Sequence, residues 1–225
     1  MTRLIMLVEG QSEEIFVNRT LKPYLAERGV YVEGPIVLWT KRMPSGGGFR
    51  GGVSSWKKIQ DSLIPLTADS NAWVTTLLDF YGLPEDTPGY TEVNKLGDPR
   101  HQVKKLESEI FDAIGKRRFI PFLALHEFEA WVFCAPKTIV EHFDDPSLLK
   151  KILLATIQAG EPELINHGAT THPKARLKTM VKGYKETSDS PTILGKIGIP
   201  AISASCPHFS EWLSKLEALA AVKSA

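Results

Sequence analysis

Apolar positions along the chain fall into short uninterrupted runs separated by stretches of helical periodicity. Leu4 to Val8 are apolar without a break. Such a run is too short for a buried helix and suits a strand covered on both faces, as in a parallel sheet. Val74-Thr75-Thr76-Leu77-Leu78 and Phe119 to Leu125 read the same way, and Val30 to Leu38 offers a further mixed strand. Between these runs the period changes to that of a helix. Residues 11–28 place Ile15, Phe16, Leu21, Tyr24 and Leu25 on one face, with Pro23 expected to bend or interrupt it. Residues 54–66 and 99–116 are further helices, the second with Val103, Leu106, Ile110 and Ile114 on one side. Strands alternating with helices predict an α/β fold with a mainly parallel sheet flanked by helices.

The last third reads differently. Residues 136–166 look helical, with Leu148, Leu149, Ile152, Leu153 and Ile157 as the apolar stripe. A short helix or turn follows over 191–199, and an amphipathic helix carrying Trp212, Leu213 and Leu216 follows Cys206-Pro207-His208-Phe209. The organisation expected is an α/β core over 1–134 and a mostly helical extension over 135–225 packed on it.

Polar residues at the strand ends carry the chemistry. Glu9 directly follows the first apolar run, Gly10 permits a sharp exit, and Ser12 is the expected N-cap of the next helix. Glu13 lies one helical turn beyond Glu9. Asp79 follows the second strand, and His126-Glu127-Phe128-Glu129 follows the third. Ligands of open α/β sheets bind at the carboxyl ends of strands. Acids brought together there repel one another unless a cation sits among them, and oxygen-only clusters favour Mg²⁺ or Mn²⁺ over zinc. Glu9, Glu13, Asp79, Glu127 and Glu129 are therefore the candidate metal ligands. A helix beginning at His126 would send Glu127 and Glu129 to different sides, leaving one of them structural.

Two basic segments accompany the acids. Thr170-Thr171-His172-Pro173-Lys174-Ala175-Arg176 offers Lys174 and Arg176 as grips for phosphate, Arg by a two-pronged contact. The glycine-rich stretch from Pro44 to Gly52 contains Arg50, a third candidate for nucleic-acid contact. It lacks the Gly-Lys-Ser/Thr ending of a nucleotide-binding loop, so a nucleoside triphosphate site is not expected, and it reads as a connector. Residues 81–97, rich in Gly, Pro, Asp and Thr, form a long loop beside the proposed site.

Composition sets the frame. A net charge of +1 gives no global steering toward nucleic acid. The two cysteines, Cys134 and Cys206, make no disulfide framework and suit a reducing compartment. Cys206 with His208 lacks the further ligands of a zinc site. No apolar run approaches the roughly 20 residues of a membrane span, and no signal peptide is evident, so a cytoplasmic chain without membrane contact is expected.

Val8-Glu9-Gly10-Gln11-Ser12-Glu13 resembles the opening motif of Toprim domains, and the spacing of Glu9 and Glu13 is similar to that of OLD-type nucleases. Leu77-Leu78-Asp79-Phe80-Tyr81-Gly82 stands where the Toprim Asp motif should be. Together with His126-Glu127-Phe128-Glu129-Ala130-Trp131, the Lys174/Arg176 segment and Cys206-Pro207-His208-Phe209, the set resembles a Toprim-like family of unknown function often encoded beside an ATPase. The resemblance implies a Toprim-like, Rossmann-like core and a metal-dependent nuclease, with Glu9, Asp79, Glu127 and Lys174 as catalytic residues. It also implies an effector controlled by a separately encoded ATPase subunit, in defence against phage. The second Asp of the Toprim pair is missing: Tyr81 stands in its place, with Glu127 or Glu129 as replacement. That loss keeps open a non-catalytic interaction subunit, and a hydrolase of small phosphorylated molecules is a third reading.

Overall fold

A computed structural model describes residues 2–38, 54–93, 95–165, 168 and 170–221. Arg50 and the glycine-rich stretch lie outside these. The N-terminal run forms β1 (Thr2–Val8), followed by α1 (Gln11–Phe16), a π-helical segment (Val17–Leu21) and α2 (Lys22–Ala26). The helix thus runs on past Pro23, and the widened turn just before it accommodates a residue that cannot donate a backbone hydrogen bond. N-capping falls to Gly10 rather than Ser12. The Glu13 carboxylate there accepts the Gly10 N–H at 3.0 Å, as in half of a capping box.

The expected second strand is broken into β2 (Val30–Val32) and β3 (Ile36–Val37). Gly34, at φ 33°, and Pro35 separate them. After α3 (Trp56–Thr67), β4 (Ala72–Asp79) pairs with β1 from Ala72 to Leu77. A short α4 (Tyr90–Val93) interrupts the loop that follows, and α5 (Pro99–Ile114) is close to the span expected. The Phe119 run also splits, into β5 (Phe119–Ile120) and β6 (Leu123–Ala124), because Pro121 lies between them. Threonine hydroxyls of β4 bridge this break. Thr75 donates to Ile120 O at 2.6 Å, while Thr76 donates to Phe122 O and accepts the Phe122 N–H, both at 2.8 Å.

The sheet order is β2–β1–β4–β5, with β3 also along β1 and β6 along β4, and among the described residues every pairing is parallel. Alternate residues of β1 enter two cores. Leu4, Met6 and Val8 pack with Phe16, Phe122, Trp131, Phe209 and Trp212. Ile5 and Leu7 pack with Ile59, Leu63, Val103 and Leu106. Burial on both faces is why the run shows no polar alternation.

The chain continues through a 3-10 segment (Phe128–Cys134), α6 (Pro136–Phe143), α7 (Leu148–Ala159), α8 (Pro173–Met180), α9 (Glu186–Ile197), α10 (Ile199–Ser205) and α11 (Pro207–Ala218). On α7 the buried positions are Leu148, Ile152 and Ala155, at spacings of four and three. Leu153 and Ile157, placed in the stripe by sequence, are 40% and 71% exposed. Helix α11 is tied to the sheet by the Trp212 indole N–H, which donates to the Thr75 hydroxyl at 2.9 Å. No described helix is long and apolar enough to cross a membrane.

Candidate functional site

Parallel pairing of β1 with β4 fixes the site. Val8 pairs with Leu77, so Glu9 and Asp79 both emerge at the carboxyl edge of adjacent central strands. Asp79 pairs with Ala124 of β6, which brings the chain leading to Glu127 to the same edge. Backbone N–H groups then pin the carboxylates in sequence. Glu9 Oε2 accepts the Asp79 N–H at 2.9 Å, and Asp79 Oδ1 accepts the Phe128 N–H at 2.8 Å. Glu127 Oε2 accepts the Lys174 N–H at 3.0 Å in the first turn of α8, where the helix dipole favours negative charge. The same oxygen meets His172 Nδ1 at 2.7 Å. Two glycines make room: a Cβ on Gly82 would lie 3.2 Å from Glu9 Oε1, and one on Gly10 would lie 3.3 Å from Glu13 Oε2.

Carboxylate oxygens of Asp79, Glu127 and Glu129 lie within 4.8 Å of one another, and all three residues are buried. The expectation that Glu127 and Glu129 diverge is corrected here. His126 takes a positive φ of 67°, and Glu127 is extended at φ −150°, ψ 151°. Helical spacing does not begin until Phe128, so Glu127 is aimed by an extended residue and Glu129 by the first turn of the 3-10 segment. Glu9 and Glu13 border this triad without belonging to it: Glu9 is bonded to the Asp79 main chain, and Glu13 to that of Gly10.

The Lys174 ammonium reaches the cluster, 3.8 Å from both Glu127 Oε1 and Glu129 Oε2. Arg176 is half-buried, and its Nε donates to Thr171 O at 2.6 Å. The Tyr81 ring stacks on His172, the partner of Glu127, with centroids 5.0 Å apart. Tyr81 is exposed.

Electrostatics express the crowding. Burial raises the Glu9 carboxyl, although the Asp79 N–H and Lys174 act against it. Burial and the Glu9 charge push Glu13 up to about 7. Asp79 is held well above the usual carboxylate range by burial and by Glu9, Glu13 and Glu129. Burial pushes Glu129 up to about 8 despite Lys174. Burial disfavours the charge on Lys174, yet Glu129, Asp79, Glu127 and Glu186 together raise its pKa, so it stays an ammonium. Raised carboxyls beside a stabilised cation mark a place where more positive charge is favoured.

A divalent metal fits these residues. The donors are carboxylate oxygens alone, the chemistry of hard cations. Glu129 Oε2 is buried with no hydrogen-bond donor, and the nearest ammonium is beyond hydrogen-bond distance at 3.8 Å. Among the described residues, the Lys174 ammonium is the cation within ion-pair distance of Glu127 and Glu129.

Sequence reading assigned His172 no role, since nothing local links it to a glutamate 45 positions earlier. It also missed the frame behind the site. Glu163 accepts the N–H groups of His208 and Phe209 at 2.8 and 3.0 Å, capping α11. His208 Nε2 meets Glu107 Oε1 at 3.0 Å, and the same oxygen accepts the Leu123 N–H beside β6. His208 thus links α5 to the head of α11.

Residues 8–217 match the family described as "Domain of unknown function (DUF4276)", and the chain belongs to that family. No curated protein matches the chain. Among solved structures, two forms of the C-terminal region of the OLD protein of Xanthomonas campestris pv. campestris, phased with iodine and with mercury, are 13% identical. They cover 96% of this chain and 97% and 98% of theirs, with a TM-score of 0.34. At that score the likeness bears on neither fold nor activity.

Proposed function

We propose that this DUF4276 protein is a divalent-metal-dependent nuclease that hydrolyses phosphodiester bonds of DNA or RNA. The observation carrying this reading is the convergence of Asp79, Glu127 and Glu129 at the carboxyl edge of a parallel sheet, beside the Lys174 ammonium. The motif resemblance of Glu9-Gly10 and Asp79 to Toprim domains supports it. Asp79, Glu127 and Glu129 would hold Mg²⁺ or Mn²⁺, with Glu9 and Glu13 as bordering acids that complete the site. The bound ion supplies a more acidic water and stabilises charge developing on phosphate.

Chain residues perform the remaining tasks. Lys174 neutralises a non-bridging phosphate oxygen, and its raised pKa keeps it charged at neutral pH. His172 and the Lys174 N–H fix the orientation of Glu127. Arg176 extends the contact along the nucleic-acid backbone, and Arg50, outside the described residues, is a further candidate by sequence. Glu127 or Glu129 takes the place of the second Asp of the Toprim pair. The effector would be governed by a separately encoded ATPase subunit, in an antiviral system.

One observation favours a second reading, a non-catalytic interaction subunit: the Lys174 ammonium already offers charge to two of the three acids. Titrating Mn²⁺ by calorimetry, then assaying plasmid, RNA and free nucleotide with the metal, separates the readings. A nuclease binds Mn²⁺ and cleaves polymer, and Asp79→Asn binds Mn²⁺ more weakly and loses cleavage. Binding with cleavage of free nucleotide alone points to a small phosphorylated substrate. Absence of both binding and cleavage favours the interaction subunit.

A further inference from the structure

The sulfurs of Cys134 and Cys206 stand 3.2 Å apart, although the residues are 72 positions apart in sequence. Both are free thiols. Cys134 ends the 3-10 segment that carries Glu129, and Cys206 is the joint between α10 and α11. The main chain around Cys206 is fixed on both sides: its N–H donates to Ile202 O and its carbonyl accepts the Ser210 N–H, both at 2.9 Å. Trp131 and Phe209 pack edge to face at 4.7 Å between the two segments. A disulfide needs sulfurs at about 2.05 Å, so closure asks for roughly 1.1 Å of side-chain movement.

We propose that Cys134 and Cys206 form a reversible oxidation site, closing to an intramolecular disulfide that staples the Glu129-bearing segment to the head of α11. The oxidant is a small disulfide such as oxidised glutathione. Cys134 is half-buried and Cys206 fully buried, which sets the order of events. The Cys134 thiolate attacks the oxidant, forming a mixed disulfide and releasing one glutathione thiolate. Cys206 then gives up its proton and attacks the Cys134 sulfur, and the second glutathione leaves. Two cysteine thiols are oxidised and one glutathione disulfide is reduced to two thiols, which carry away the two protons. Burial keeps the Cys206 thiol protonated, so the second step is the slow one. Excess thiol reverses both steps.

The staple would have a structural consequence near the acids. The 3-10 segment is otherwise held to the sheet through Asp79 and the Phe128 N–H. Helix α11 is held to β4 through Trp212 and Thr75. A bond between segment and helix joins these two attachments and closes a long loop, the case in which a crosslink most restricts the unfolded chain.

The test uses the full chain, reduced and then incubated with oxidised glutathione. The expected product is monomeric, lighter by two hydrogens, resistant to alkylation after denaturation, and yields a Cys134–Cys206 linked peptide. Its unfolding temperature rises by several degrees and returns with dithiothreitol. Cys206→Ala stops at a mixed disulfide bearing one glutathione on Cys134. Wild-type protein that itself stops at that mixed disulfide, keeps both thiols open to alkylation, or links between molecules overturns the proposal. The peptide map on wild-type protein decides the question even where a cysteine variant fails to fold.

Discussion

The Asp79 N–H donates to Glu9 Oε2 at 2.9 Å, so the acid ending one central strand is held by the main chain ending its neighbour. This bond separates the structural contribution of Glu9 from its charge. Glu9→Gln keeps an oxygen acceptor while removing a negative charge beside Glu13 and Asp79. Melting curves without metal should show Glu9→Gln at or above the wild-type temperature. Glu9→Ala should lie below it, since a buried N–H left unpaired costs about 1–3 kcal/mol. Equal losses in the two variants would make Glu9 a packing residue and remove it from the charged cluster.

Removing triad charges should weaken metal binding. Asp79→Asn can still accept the Phe128 N–H, and Glu129→Gln is nearly isosteric, so both should fold. Each is expected to lower Mn²⁺ affinity at least tenfold by calorimetry, a loss of about 1.4 kcal/mol or more. Unchanged affinity in both would place the ion elsewhere.

Stability of the metal-free protein should depend on pH in a defined direction. Glu13 and Glu129 start from 4.5 and are pushed up to about 7 and about 8, largely by burial. A raised carboxyl means that the folded state holds a proton the unfolded state has released. The resulting stability is complete below about pH 4.5 and is lost as pH rises through the folded values. Each such group contributes a slope of at most about 1.4 kcal/mol per pH unit. Denaturant melts in chelator should therefore weaken from pH 5 to pH 8, and Mn²⁺ should restore most at the upper end. A flat profile would show the acids to be ionised and well compensated already.

Lys174 and Arg176 should act on nucleic acid through phosphate. Lys174→Ala with Arg176→Ala should weaken binding to all duplex sequences alike and reduce the salt slope by about one unit for each phosphate no longer neutralised. Binding measured at several salt concentrations, with Ca²⁺ blocking catalysis, checks this. An unchanged slope would confine Lys174 to its partnership with Glu127 and Glu129.

We propose that residues 135–225 act as a covering extension of the 1–134 core. Leu4, Met6 and Val8 share one apolar cluster with Ile193, Ile202, Phe209 and Trp212. Residues 1–134 expressed alone should therefore lack cooperative unfolding, since one face of β1 loses its cover. A sharp melting transition in that fragment would show that the core folds independently.

Local pattern dictated the layers and the strand ends. Five consecutive apolar residues from Leu4 required a strand buried on both faces, and Glu9 and Asp79 were legible because an acid directly following such a run must emerge at its carboxyl edge. The same pattern contained Pro23, Pro35 and Pro121, though not how each would be absorbed: by a π turn, by a split strand, and by threonine hydroxyls reaching across the gap. Which acids meet was settled by packing. Helical spacing separates Glu127 from Glu129, but the positive φ of His126 and the extended Glu127 bring them together. His172 joins Glu127 across 45 positions and Cys134 meets Cys206 across 72. Such partners leave no periodic signal, because the distance closed by packing bears no relation to spacing along the chain.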